Sequence, residues 1–161
     1  MSKWEIIKNL KFKQIRALFV WFLKHPIFML ATFKATVNTL QIAQKEFPDI
    51  HNLHNKANAF RHAIWNIFIA KECNKYTKDI DKVLAWTKRI TDWHEEFSPN
   101  EEMAKLMDLH NNEVGRKYFF ALEDKSKNEI IVTLIQKLES AVKINIKTKL
   151  DKIDNLVFLE D

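Results

Sequence analysis

Three short runs concentrate the residues that could do chemistry: 58–66 (NAFRHAIWN), 91–97 (TDWHEEF) and 107–116 (MDLHNNEVGR). His62, His94 and Asp108 are of the types that ligate a divalent metal ion, with Glu95 as a fourth ligand or as a general base. An open coordination position there would activate water. Arg61 and Arg116 could hold an anionic phosphate or carboxylate, and Asn66, Asn111 and Asn112 could hydrogen-bond it. A metal-free version keeps His62 or His94 as general base, polarised by Asp108, with Asn111 and Asn112 donating to a developing oxyanion. The non-catalytic alternative is an Asp–His–Asn–Arg hydrogen-bond network that fixes helix packing without turnover. His94-Glu95 is followed by Ser98, so HExxH is absent, and no His-Asp dipeptide occurs.

Helical spacing must bring these groups together. Asn58, His62 and Asn66 fall at i, i+4, i+8, as do Asp108, Asn112 and Arg116, so each trio shares one helix face. Trp65 and Ile69 flank the first trio, while Phe60, Ala63, Ile64 and Ile67 cover the opposite side. That pattern predicts a central helix over 57–71 facing an internal polar centre. In the helix expected over 78–96, Ile80, Val83, Leu84, Thr87 and Ile90 form a stripe that His94 continues, with Glu95 at its edge and Asp92 further round. His94 is therefore expected to point inward, as a ligand or as a satisfied core histidine. Ser98-Pro99-Asn100-Glu101 reads as a capping box opening the helix that carries Asp108. Gly115 lies within that helix, where glycine usually marks close approach of another element, here the RHAIWN helix. A second capping box, Ser126 to Glu129, opens a helix expected over 127–148, with Ile130, Ile131, Leu134, Leu138, Val142 and Ile146 inward. The tail from Asp151 is expected to hold a short extended piece.

Composition sets the fold class. One glycine and three prolines in 161 residues cannot supply the turns of a sheet-rich protein. The expectation is all-α: one compact domain over 1–161, a bundle of about five to six helices. Residues 1–47 form basic, aromatic N-terminal helices (3–24 and 27–46), and 57–148 a motif-bearing core. Pro48 to Lys56 links them, with His51 and His54 expected to be solvated. GxGxxG, the P-loop and GxSxG all need more glycine, so nucleotide cradles and the nucleophile elbow are excluded. Cys73 alone forms neither an internal disulfide nor a cysteine zinc site, and is expected to act as a small apolar residue.

Charge is uneven. Residues 1–34 hold seven Lys and Arg against Glu5, whereas the whole chain is +5. A basic arm on a near-neutral body points to an anionic partner. The longest uncharged apolar run, 17–23, is far below the ~20 residues that span a bilayer. Basic residues mixed with Trp and Phe suit an interfacial helix at an anionic membrane surface, or burial on the domain, or both on different faces. Nucleic acid is a third partner class, disfavoured because the aromatic-rich helices lack a clean solvent-facing cationic stripe.

The three runs together resemble an uncharacterised bacterial domain-of-unknown-function family with the pattern RHAxWN, a following HE, and MDLxNNxxGR. Flavobacterial-type members are similar over nearly the whole length. The resemblance picks out Arg61, His62, Trp65, Asn66, His94, Glu95, Asp108, Asn111, Asn112, Gly115 and Arg116. It implies no established activity, and a likeness to some toxin-like domains adds only an analogy toward hydrolysis. The resulting expectation is an intracellular, cytoplasmic protein, peripheral on the membrane. It would be a small hydrolase, metal-assisted, acting on a phosphoester or lipid-like substrate. The alternative is a non-enzymatic membrane-associated binding or scaffold module.

Overall fold

The computed structural model describes residues 12–97 and 100–160. The first nine residues of the expected N-terminal helix, 3–11, lie outside them, as do Ser98 and Pro99. The described chain is an all-α bundle of six helices with a two-stranded C-terminal appendage: α1 Phe12–Lys24, α2 Pro26–Glu46, α3 Lys56–Asn74, α4 Ile80–Phe97, α5 Glu102–Leu122 and α6 Lys127–Lys137. Pro26 occupies the first turn of α2, where its missing N–H is not needed. Asn55 caps α3, its side chain accepting from the Asn58 amide at 3.1 Å. The predicted Ser126 box is present, with the Ser126 amide donating to Glu129 Oε2 at 2.8 Å and the Glu129 amide to Ser126 Oγ at 3.3 Å.

Helix α3 is central. Phe60, Ala63, Ile64, Ile67, Ile69 and Ala70 are completely buried, and apolar groups surround this helix on nearly every side. It packs most extensively on α5 and next on α2. Gly115 permits the first contact. A Cβ there would lie 2.6 Å from the Ala63 carbonyl oxygen and 2.7 Å from its Cα. Two indoles fasten α2 to its neighbours: Trp65 Nε1 donates to Thr36 Oγ1 and Trp86 Nε1 to Thr32 Oγ1, each at 2.9 Å. Trp86 also meets Trp21 and Phe28 edge-on, which seats α1 against α4.

Two boundaries differ from expectation. Helix α5 starts at Glu102, with Glu101 extended, so Asn100 and Glu101 precede it rather than forming its first turn. Helix α6 stops at Lys137, and after one 3₁₀ turn the chain becomes a strand, β1 Val142–Lys143. It pairs in parallel with β2 Val157–Phe158, Val142 opposite Val157. Val142 and Ile146 are consequently exposed, Ile146 at 83%, while Ile144 is buried. Pairing with the distant Val157–Phe158 segment wins over the helical spacing of these residues. The extended tail is as expected, with Leu156, Val157 and Phe158 all buried. No described helix is long and apolar enough to cross a membrane.

The linker histidines also differ. His51 is buried and bonded to Gln44 Oε1 at 3.0 Å, and burial followed by the Arg61 charge lowers its pKa. His54 is clasped through its backbone: its amide donates to Glu160 Oε1, and its carbonyl accepts from the Leu159 and Glu160 amides. Cys73 is fully buried, and burial pushes its thiol up to about 12, which leaves it inert.

Candidate functional site

Helices α3, α4 and α5 meet around His62, which lies between two carboxylates. Its Nδ1 is 3.4 Å from Glu95 Oε1 and its Nε2 is 3.4 Å from Asp108 Oδ1. All three side chains are at most 2% exposed. Arg61 Nη2 lies 2.9 Å from His62 Nε2. A guanidinium only donates, so Nε2 is the acceptor and the ring proton sits on Nδ1. That proton faces Asn112 Oδ1 at 3.1 Å. Asn112 in turn donates to Glu95 Oε1 at 3.1 Å and accepts from Asn66 Nδ2 at 2.7 Å. Thus one amide joins the imidazole, the acid of α4 and the ladder of α3.

The network continues outward. Asn66 Oδ1 accepts from Arg116 Nη1 at 3.0 Å and lies 3.2 Å from the Thr91 hydroxyl. Arg116 also reaches Asp92, at 3.8 Å. Asn100, just before α5, donates to Asp108 Oδ2 at 2.9 Å. Eight buried side-chain polar atoms nevertheless find no hydrogen-bond partner among the described residues, and in or beside this network they include Glu95 Oε2, Asp108 Oδ1, Asp92 Oδ1, Asn58 Oδ1 and Arg61 Nε. Two of these are carboxylate oxygens of the central trio. An unsatisfied buried acceptor costs about 1–3 kcal/mol, and more when charged. Such oxygens need a proton, a water or a cation.

Protonation follows from the same geometry. Burial, then the nearby Asp108 charge, raises the Glu95 carboxyl to about 8, against the pull of the Asn112 hydrogen bond and Arg61. Burial raises Asp108 to about 6, opposed by Arg61, His54 and Asn100. Burial first, then the charge of Arg61, pushes His62 well below its usual range. The centre therefore holds its proton more firmly on Glu95 than on Asp108, beside a neutral imidazole and the Arg61 cation. A poised acid and base side by side are one arrangement that supports proton transfer.

One oxygen each of Glu95 and Asp108 and one nitrogen of His62 lie within 4.8 Å of one another, a grouping that could hold a metal ion. A tetrahedral ion with ligand bonds of ~2.1 Å has ligand–ligand edges of about 3.4 Å. The Nε2–Asp108 Oδ1 separation matches that edge. The Arg61 guanidinium stands against the same nitrogen, so an ion binding there must displace it.

The sequence-derived set divides into three. His62, Glu95, Asp108, Arg61, Asn66 and Asn112 come together, with Arg116 attached through Asn66. His94 does not join as a ligand: it is solvent-exposed, its ring edge-on to Trp65 at 5.3 Å. Glu95 occupies the inward position instead, because the buried stripe of α4 runs through Val83, Trp86, Thr87, Ile90, Thr91 and Glu95. Loss of hydration, then the charge of Arg61, still lowers the His94 pKa, so its ring borders the centre while keeping an open face. Asn111 turns away from the centre. Its amide copies a strand edge, donating to the Val157 carbonyl and accepting from the Val157 amide, both at 2.9 Å. Thr91 and Asn100 were missed. Thr87, Thr91 and Glu95 at i, i+4, i+8 form a third polar ladder that could have revealed Thr91.

Two surface pockets lie away from this centre. Both are beside the α1–α2 junction, lined by His25, Phe28 and Lys82 among others. No curated protein and no solved structure matches the chain. A family profile matches residues 19–142, a span that contains every residue of the polar centre. The chain belongs to the family described as Domain of unknown function (DUF6973).

Proposed function

We propose that the polar centre is a divalent-cation site and that the protein uses it as a small hydrolase of phosphoester or lipid-like substrates. The observation that carries the reading is the pair of buried carboxylate oxygens, Glu95 Oε2 and Asp108 Oδ1, left without donors beside an imidazole. His62, Glu95 and Asp108 would hold the ion, which would supply an activated water and polarise the scissile ester. His94 is not among the ligands in this reading. Displaced from Nε2, Arg61 becomes available to an anionic phosphate, a role its planar fork suits. Taking up the ion would require Glu95, whose pKa burial raises, to give up its proton, so metal occupancy should increase with pH.

Full burial of the same residues favours a second reading, in which Arg61 is the permanent counter-ion and the network is structural, within a non-enzymatic membrane-associated module. The two separate in a phosphomonoester and phosphodiester hydrolysis screen with added Mn²⁺, Zn²⁺ or Mg²⁺. The hydrolase reading expects metal-stimulated turnover that Asp108→Asn abolishes while the variant stays folded. Absence of turnover with any of these ions, together with a large drop in melting temperature for Asp108→Asn, would leave the structural reading.

A further inference from the structure

The outer faces of α1 and the first half of α2 carry an unusual load of exposed apolar side chains. Ile15, Phe19, Phe22 and Leu23 follow i, i+4, i+7, i+8 on α1, with Val20 beside them, and Ile27, Leu30 and Phe33 continue beyond the Pro26 junction. Phe19, Leu23 and Leu30 are each at least 60% exposed. Eight of the eighteen large apolar side chains exposed in the described structure thus fall within nineteen residues. Scattered surface leucines need no explanation, whereas a run this dense does. Inward contacts do not account for it. Trp21 is the residue of α1 that meets the core, edge-on to Trp86 and Trp93.

The charge around this face has one sign. Between Glu5 and Glu46 there is no acidic residue, and the interval holds Lys8, Lys11, Lys13, Arg16, Lys24, Lys34 and Lys45. Arg16 and Lys24 are exposed on α1 itself. Lys34 is partly neutralised by Glu72 at 3.1 Å. An exposed aromatic and aliphatic stripe on a segment that carries cations and no acid of its own is complementary to anionic headgroups over an acyl boundary. A second protein copy would bring the same positive charge and repel it.

We propose that α1 and the first half of α2 dock the protein on an anionic lipid surface, lying in the interface with Phe19, Phe22, Leu23, Ile27 and Leu30 entering the acyl boundary. The docking face is joined to the polar centre. Trp21 stacks edge-on against Trp93 at 5.2 Å, one residue before His94 and two before Glu95. A bilayer on the outer face of α1 would stand one helix away from α4, which carries Glu95, and this favours a lipid-like substrate if the hydrolase reading holds. The docking itself does not depend on that reading.

The test is flotation of the full-length protein with phosphatidylcholine vesicles, with and without phosphatidylglycerol, at low and high salt. Wild type is expected to float with phosphatidylglycerol-containing vesicles and to detach as salt rises. Phe19→Glu/Leu23→Glu should lower partitioning roughly tenfold or more, since two apolar side chains no longer enter the acyl boundary. Both positions are exposed, and a circular-dichroism melt verifies that the fold survives. Arg16→Gln/Lys24→Gln should weaken binding and flatten its salt dependence. No flotation, flotation indifferent to phosphatidylglycerol, or flotation unchanged by Phe19→Glu/Leu23→Glu would overturn the proposal. So would a dimer in sedimentation equilibrium that those substitutions dissociate, because a second copy would then be the occupant. Metal content of the same preparations is read separately, so failure of docking and failure of the hydrolase reading are distinguishable.

Discussion

Gly115→Ala separates two opposing effects whose magnitudes can be compared. In an ordinary exposed helix the substitution stabilises by about 1 kcal/mol through propensity alone. Here the added Cβ would meet the Ala63 carbonyl oxygen at 2.6 Å and Cα at 2.7 Å, whereas ordinary contact begins near 3.4 Å. Helices α3 and α5 would have to part by about 0.8 Å at their closest point, enough to forfeit a quarter to a half of the dispersion attraction across that layer. Overpacking of this kind costs about 1–3 kcal/mol, occasionally more, and this is the most extensive helix pair in the fold. Set against the propensity gain, the expected net loss is about 1 kcal/mol, which at a urea slope of ~2 kcal/mol/M lowers the midpoint by roughly 0.5 M. Urea denaturation followed by circular dichroism reads it. Because the three nearest atoms all belong to the Ala63 backbone, adding Ala63→Gly should give no rescue. A midpoint unchanged or raised in Gly115→Ala would refute the close-approach argument, and with it the reason His62 stands so near Asn112.

Three further outcomes are expected. Asn111→Ala removes both bonds to Val157 and should cost about 2–4 kcal/mol, loosening the tail so that limited proteolysis cuts near β2 first. In chelator, wild-type melting temperature should fall as pH rises from about 7 to 8. In that window His51, His62 and His94, all with lowered pKa values, are neutral in the folded chain and largely so in the unfolded one. Glu95 and Asp108 have raised pKa values, so their stabilising contribution is complete below the ordinary carboxylate range. It is lost as pH climbs to about 6 for Asp108 and about 8 for Glu95. Glu95→Gln should flatten the upper part of that fall, and an equally steep fall in the variant would show that another group drives it. His94→Ala should change urea stability by under about 1 kcal/mol, since the ring is exposed; a larger loss would mean that the ring is packed inside.

Much of the centre was legible from spacing. The ladder Asn58–His62–Asn66 and its counterpart Asp108–Asn112–Arg116 share faces by helical geometry alone, and Gly115 marked where the two helices touch. The exchange of His94 for Glu95 arose because apolar residues were used to locate the inner stripe of α4. Leu84 is only half-buried, and Trp86, whose indole must reach Thr32, rotates the buried face toward Thr91 and Glu95. Burying an acid is costly, and the polar partner that α5 supplies, Asn112, makes Glu95 tolerable there. The end of α6 was misjudged because Val142 and Ile146 fit helical and strand periods alike. The partner that decides between them, Val157, lies fifteen residues beyond Val142. Asn111 was indistinguishable from Asn112 in type. Its role as a surrogate strand edge depends on that same distant segment.

The central claim, a divalent ion held by His62, Glu95 and Asp108, is tested most directly by elemental mass spectrometry of the untagged protein purified without chelators. Wild type, His62→Ala, Asp108→Asn and His94→Ala are compared. Near-stoichiometric metal in wild type and His94→Ala, lost in His62→Ala and Asp108→Asn with the fold intact, is the predicted result. No metal in wild type after incubation with Mn²⁺, Zn²⁺ or Mg²⁺, or metal that survives Asp108→Asn, would contradict it and leave Arg61 as the cation of the centre.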